Sequence, residues 1–268
     1  MKRRNNCYKN LFIIQFIMAK LAIITGWTSW IWKEFAYNLA EAGYDITIVW
    51  RNRENGEGIR KELQEKYWIK SDLLIADLSE KIWLDVVEKY IESLKSLDFL
   101  VNGAWFGFNE DLLDVSKDDW EKMIFVHNTA TMRLCYSAAK VMKNNNAWNI
   151  INISSLASFL QVGDPMYSST KAFIRYFSTN IYYNRKKYWI YVQALCPWFV
   201  RTNFFLNAWM NRTPKLWLLN TVDVVKTSLE YTKRKKPICV PWFISKCLKI
   251  LIQVLPAWLL YKIINKLN

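Results

Sequence analysis

Leu21-Ala22-Ile23-Ile24-Thr25-Gly26-Trp27-Thr28-Ser29-Trp30-Ile31-Trp32 is the stretch whose reading decides the fold. Its opening run is almost wholly apolar with no polar alternation, as a strand covered on both faces of a sheet requires. Gly26 ends that run, and a helical pattern begins near Ile31, so the segment reads as strand, turn and helix. The same alternation continues outward. Short β-type runs fall at 21–25, 45–49, 72–76, 99–102, 149–153, 190–195 and 238–240, with helical patterns at 31–42, 55–67, 80–95, 117–143, 166–186 and 222–233. Strands alternating with longer helices predict a parallel sheet with helices on both faces. Right-handed crossovers then give a single α/β Rossmann-type, doubly wound sheet of about seven strands in the order 3-2-1-4-5-6-7.

At 268 residues the chain suffices for one such domain. The expected divisions are an N-terminal extension over 1–17 (with Met18 as the true start), the sheet domain over 18–242, and an amphipathic tail over 243–268. The formal net charge of +14 would suit an anionic ligand or surface, but no basic-aromatic nucleic-acid motif accompanies it, so no nucleic-acid partner is expected. Five scattered cysteines without a CxxC pair fit neither a disulfide framework nor a zinc site, and no metal is expected. A cytoplasmic location follows. No apolar run reaches the ~18 residues of a membrane span.

Five short motifs stand in order along this frame. Thr25-Gly26 opens a turn through Thr28, Ser29 and Trp30-Ile31-Trp32, where a helix N-terminus could hold a pyrophosphate. Val101-Asn102-Gly103-Ala104-Trp105 follows the fourth strand, and Asn152-Ile153-Ser154-Ser155 ends the fifth. Tyr167-Ser168-Ser169-Thr170-Lys171 lies on a helix, and Pro197-Trp198-Phe199-Val200-Arg201-Thr202 follows the sixth strand. Together they resemble the short-chain dehydrogenase/reductase family, whose TGxxxGxG, NNAG, YxxxK and PGxxxT they match, with tryptophan at several of the glycines. The resemblance covers residues 19–242.

What it implies is an NADP-dependent oxidoreductase moving a hydride between nicotinamide and a ketone or secondary alcohol. Tyr167 and Lys171, four apart, share one helix face. A nearby ammonium would favour the phenolate and lower a tyrosine pKa that is otherwise near ~10, and Ser155 would steady the substrate oxygen. The family's relay asparagine aligns with His127, with Asn128 beside it. Three readings stay open: His127 relays, Asn128 relays after a one-residue shift, or His127 is a packed core residue. Gly26, Thr28, Ser29, Trp30, Ile31, Trp32, Asn102, Tyr167, Lys171, Pro197, Val200 and Thr202 fall on cofactor-binding positions, and Asp77 and Leu78 resemble the pair bracketing adenine. Arg51 after the second strand, where an acid would select NAD, favours the 2′-phosphate of NADP. The family also implies a dimer or tetramer packed through the helices at 117–143 and 166–186, and a small carbonyl or alcohol substrate, with a 3-oxoacyl or lipid-like one suggested by the tail. The tail is a lid, a subunit contact or an in-plane anchor on the inner face of a membrane. The rival reading is a non-catalytic NADP-binding or membrane-associated scaffold on the same fold.

The tryptophans conflict with this reading. An indole cannot take glycine's positive-φ conformations cheaply or let a phosphate reach the backbone. Yet Trp30, Trp32, Trp105 and Trp198 all stand at family glycines, a coincidence on the order of 10⁻⁵ at this tryptophan content. The chain has 7 glycines and 15 tryptophans, together about 8% of its residues, near an ordinary glycine content. Trp68, Trp148 and Trp189 also stand where glycine is expected, whereas Trp120 reads as genuine. The pattern predicts a gene that uses UGA for glycine, written out with a code that reads UGA as tryptophan. The alternative is a tryptophan-rich homologue that has lost its dinucleotide site.

Overall fold

The computed structural model describes residues 20–26, 30–108, 113–143, 149–161, 164–184, 190–201 and 218–267, with side chains to 263. The positions singled out at Trp27, Thr28, Ser29, Trp148, Trp189 and Thr202, and the extension over 1–17, lie outside them. Seven parallel strands run β1 (Lys20–Gly26), β2 (Tyr44–Trp50), β3 (Ser71–Ile75), β4 (Phe99–Gly103), β5 (Asn149–Ile153), β6 (Tyr191–Leu195) and β7 (Ile238–Cys239). They form one sheet in the order β3-β2-β1-β4-β5-β6-β7, as the alternation of strands and helices predicts.

Register makes the two cores. One row across the sheet aligns Leu73, Ile48, Ile24, Val101, Ile151 and Gln193. The apolar members of that row face α1 (Trp30–Glu41), α2 (Arg53–Tyr67) and α7 (Thr221–Lys233), where Phe35, Leu63, Val224 and Val225 are buried. The neighbouring residues Ile23, Val49, Leu100, Ile150 and Val192 point the other way. They pack under α3 (Lys81–Ser93) and α5 (Thr131–Met142), against Leu84, Val87, Ile91, Leu134 and Ala138. Alternate side chains thus build opposite layers. Gln193, the polar end of the row, is fully buried. Its amide donates to Tyr191 Oη at 2.8 Å and the Ser228 carbonyl at 3.1 Å, while Ser228 Oγ donates to its Oε1.

The helix expected over 117–143 is continuous but not uniform. α4 (Lys117–Ile124) widens into a π-helical turn over Phe125–Ala130 before α5 begins. Such wide turns cluster at functional sites. α6 (Pro165–Tyr183) starts on Asp164, whose Oδ1 accepts the Met166 and Tyr167 N–H groups, both at 2.9 Å. Pro165 at the first helical position costs the helix no hydrogen bond.

The tail folds as α8 (Phe243–Val254) and α9 (Ala257–Leu267), broken at Pro256. Ser245 is fully buried and Leu248 packs on the cluster of Leu156 and Val240. On the opposite side of α8, Phe243, Cys247, Ile250 and Val254 repeat at helical spacing and are exposed. Among the described residues no helix is long and apolar enough to cross a membrane.

Candidate active site

The residues singled out by the motifs lie along the C-terminal ends of the central strands, where open α/β sheets bind ligands at the strand-order switch point. β1 and β4 end side by side at Gly26 and Gly103. Thr25 ties the pair, its Oγ1 accepting the Gly103 N–H at 3.1 Å.

From β5, the chain passes through Ser154 and Ser155 into a short turn whose entry Ser155 caps, its Oγ accepting the Ala157 N–H at 3.1 Å. Ser154 Oγ donates to the Lys171 carbonyl at 2.7 Å, fastening α6 to the end of β5. One helical turn then brings Tyr167 and Lys171 over Ser155. Ser155 lies near enough to Tyr167 to act on its pKa, and Lys171 Nζ lies 5.6 Å from the Tyr167 ring centroid. Lys171 is 1% exposed and donates to the Ile153 carbonyl at 3.1 Å. No carboxylate pairs with it among the described residues.

Electrostatically the pair departs from the expectation that the ammonium lowers the tyrosine. Burial pushes Tyr167 up to about 12, with Ser155 pulling the other way. Burial also pulls Lys171 down to about 7. The physical reason is desolvation of both groups. The Trp105 indole lies across them, 5.2 Å from Lys171 Nζ and 6.0 Å between ring centroids from Tyr167.

His127 and Asn128 sit in the π-helical turn. His127 is fully buried, its ring 6.1 Å from that of Tyr167. Nε2 accepts the Phe106 N–H at 3.1 Å, so the proton sits on Nδ1 and is donated to Thr170 Oγ1 at 2.8 Å. Thr170 in turn donates to the Tyr167 carbonyl at 2.9 Å. Burial holds the imidazole well below its ordinary pKa, so it is neutral. With both nitrogens engaged, His127 positions the start of α6. Asn128 Oδ1 is buried and finds no hydrogen-bond partner among the described residues.

Asn102 and Asn152 form a hub under the site. Asn102 Nδ2 donates to Asn152 Oδ1 at 2.8 Å, and Asn152 Nδ2 donates to Ser178 Oγ at 2.9 Å. Asn152 and Thr170 stand inside the quoted motifs, but the resemblance gives a role only to Asn102. A polar residue inside a run as apolar as NIINI was the available signal for Asn152, and the position of Thr170 within the Tyr–Lys turn for the other.

The cofactor-binding set divides. Ile31 and Trp32 are buried on α1, and Trp30, at its first position, is 46% exposed. Arg51 is exposed just past β2. Asp77 Oδ1 accepts the Ser79 N–H at 2.9 Å beside buried Leu78. The Pro197 carbonyl accepts the Leu156 N–H at 2.8 Å, and Val200 pairs with Leu219.

A profile described as short chain dehydrogenase matches residues 20–212. The chain is 33% identical over 201 residues to an uncharacterized oxidoreductase, YgcW, of Escherichia coli, covering 74% of this chain and 76% of that one. It is 26% identical over 260 residues to the human very-long-chain 3-oxoacyl-CoA reductase, covering 94% and 80%. Among solved structures, the bulky-bulky ketone specific alcohol dehydrogenase of Comamonas testosteroni superposes with a TM-score of 0.77 at 25% identity, over 87% of this chain and 91% of that one.

Proposed function

This chain belongs to the short-chain dehydrogenase family, and on that premise we propose that it is an NADP-dependent oxidoreductase interconverting a ketone and a secondary alcohol. The observation that carries the reading is the convergence of Ser155, Tyr167 and Lys171 on one spot at the end of β5. Tyr167 Oη exchanges the proton with the substrate oxygen, Ser155 Oγ steadies that oxygen, and Lys171 supplies positive charge beside the phenol. His127, through Thr170, holds the first turn of α6, and Asn128 Oδ1 is the open acceptor for a relay water. Arg51, at the end of β2 where no acid stands, supports NADP over NAD.

The human relative's description supports a 3-oxoacyl substrate for this chain. The exposed apolar stripe of α8, with four lysines and no acid from Phe243 onward, supports peripheral contact with an anionic membrane. Association through α4–α5 and α6 into a dimer or tetramer belongs to the same reading, as do a cytoplasmic location and the division into an extension, a sheet domain and a tail.

The residues as written do not fit a dinucleotide. Trp32 lies across the ends of β1 and β4, so close that a Cβ placed on Gly26 would come within 2.5 Å of its Cγ. Its ring reaches Trp50 on β2 at 4.3 Å, and Trp105 covers Lys171. Of the second reading, a non-catalytic NADP-binding or membrane-associated scaffold, these filled positions favour the membrane-associated form. With the crevice cleared by Trp32→Gly and Trp105→Gly, Tyr167→Phe decides between the two in an assay of NADPH oxidation against a ketone panel. Loss of about 10²-fold or more supports the reductase, and equal turnover refutes the assigned proton donor.

A further inference from the structure

We infer that the working protein carries glycine, not tryptophan, at Trp30, Trp32, Trp50, Trp68, Trp105, Trp198 and Trp242, and that its dinucleotide crevice is open where the chain as written is closed. The inference rests on the reductase reading for the crevice positions; Trp68 and Trp242 carry it independently.

The backbone gives the first argument. Among the described residues only Trp68, Lys235 and Trp242 combine a side chain with positive φ, so two of the three are tryptophan. Trp68 follows α2 at φ 57°, ψ 32°, its N–H donating to the Gln64 carbonyl at 3.1 Å. That is the left-handed helix stop at which glycine is preferred. Its indole is 92% exposed and packs on little that could repay the strain. Trp242 precedes α8 at φ 70°, ψ 141°, beside the region that glycine alone visits freely.

Buried indole nitrogens give the second. Trp50 Nε1 and Trp198 Nε1 have no hydrogen-bond partner among the described residues, although a buried indole N–H ordinarily finds one. The surroundings of these two rings were not shaped for indoles.

Position gives the third. Trp32 places its Cβ 3.4 Å from where a Cβ on Gly103 would be, its Cγ over Gly26, and its ring against Trp50. It therefore fills the switch-point crevice from β4 across β1 to β2. Trp105 fills the adjoining space over Tyr167 and Lys171. Glycine at these positions removes both obstructions together. Trp120 is the contrast: it is half-buried inside α4 at ordinary helical backbone angles, with its ring edge-on to Phe108 at 5.4 Å. Ordinary mutational decay would scatter residue types over the motifs. One residue replacing one other points to a single coding triplet, read as glycine in the source cell and as tryptophan in this sequence.

Tandem mass spectrometry of the protein from its own source reads the answer at 30, 32, 68 and 105. Glycine there is expected, and tryptophan overturns the inference. The recombinant chain as written gives a second readout. Trp68→Gly and Trp242→Gly are expected to raise Tm by several degrees, and Trp120→Gly to lower it; a lower Tm for the first two overturns the backbone argument. Finally, NADPH fluorescence titration compares the written chain with the sevenfold glycine variant, and at least tenfold tighter binding by the variant is expected. Glycine in the native peptides without NADPH binding would leave the inference standing and sink the reductase reading. Equal and measurable binding by both chains would overturn the claim that indoles close the crevice.

Discussion

Trp105→Gly in the chain as written should return Lys171 towards an ordinary lysine. Lys171 Nζ lies 5.2 Å from the Trp105 ring centroid and has no carboxylate partner among the described residues, and burial takes its pKa from 10.5 to about 7. That drop corresponds to about 5 kcal/mol of penalty on the charged form, at ~1.4 kcal/mol per pKa unit. The folded-state value is the lower one, so between pH 7 and 10.5 the unfolded chain holds more protons and stability rises with pH. The buried thiols of Cys135 and Cys196, raised to about 12 and about 11, and Tyr167, raised to about 12, act in reverse once their unfolded values are passed. The clean window is therefore pH 7 to 8.5, over which Lys171 contributes roughly 1.5 kcal/mol. Urea unfolding across that window reads it as a difference from Lys171→Met, which cancels the contribution of buried neutral His127. The written chain should gain about 1.5 kcal/mol relative to Lys171→Met, and Trp105→Gly less than about 0.5. An undiminished gain in Trp105→Gly would refute the claim that the indole desolvates the lysine. No gain in the written chain would refute the burial argument itself.

Asn152→Ala removes the acceptor of the Asn102 amide, leaving it only the weak contact with Cys135 Sγ, takes a donor from Ser178 Oγ, and should cost about 2–3 kcal/mol in urea unfolding; a loss under about 0.5 would mean that the hub is dispensable. In a chain carrying glycine at the crevice positions, Arg51→Asp should move the NADPH/NADH ratio of kcat/KM toward NADH by about 10-fold or more, and an unchanged ratio would remove Arg51 from the selection. On α8, Ile250→Glu with Val254→Glu should weaken co-sedimentation with phosphatidylglycerol vesicles by at least about tenfold, given ~1.5–3 kcal/mol per buried aliphatic side chain. Equal sedimentation would assign that stripe to a lid or to a second copy.

Periodicity carried the fold because this sheet is buried on both sides. Runs such as LAIIT have no reading other than a covered parallel strand, and their order along the chain leaves little topological freedom. Tyr167 and Lys171 were legible for a similar reason, since four-residue spacing has one meaning on a helix. The π-helical turn was not. Its residues continue an apolar pattern that suits ordinary helix, and the extra residue shows only when both flanks must meet the same sheet. The perturbed charges were hidden too, because Lys171 becomes buried, with Trp105 beside it from sixty-six residues away in sequence, only after folding. Asn152 stood at the head of a motif, but its part in the hub did not show, because a hydrogen-bonded buried amide has no periodic signature. The left-handed stop at Trp68 was legible from its place after a helix, even with an indole on it.

The wide turn at Phe125–Ala130 imposes a constraint of phase. An added residue in a helix does little to its axis but turns everything beyond it by about 100°. α4 and α5 therefore present different azimuths of one rod, α5 setting Leu134 and Ala138 onto the sheet while the turn itself aims His127 at Tyr167. Removing one residue from this turn would leave the hydrogen-bond ladder more regular and the protein worse. Either the core face of α5 or the aim of His127 would rotate away. Length here is as fixed as identity, so this turn is a place where a single-codon deletion is more damaging than most substitutions.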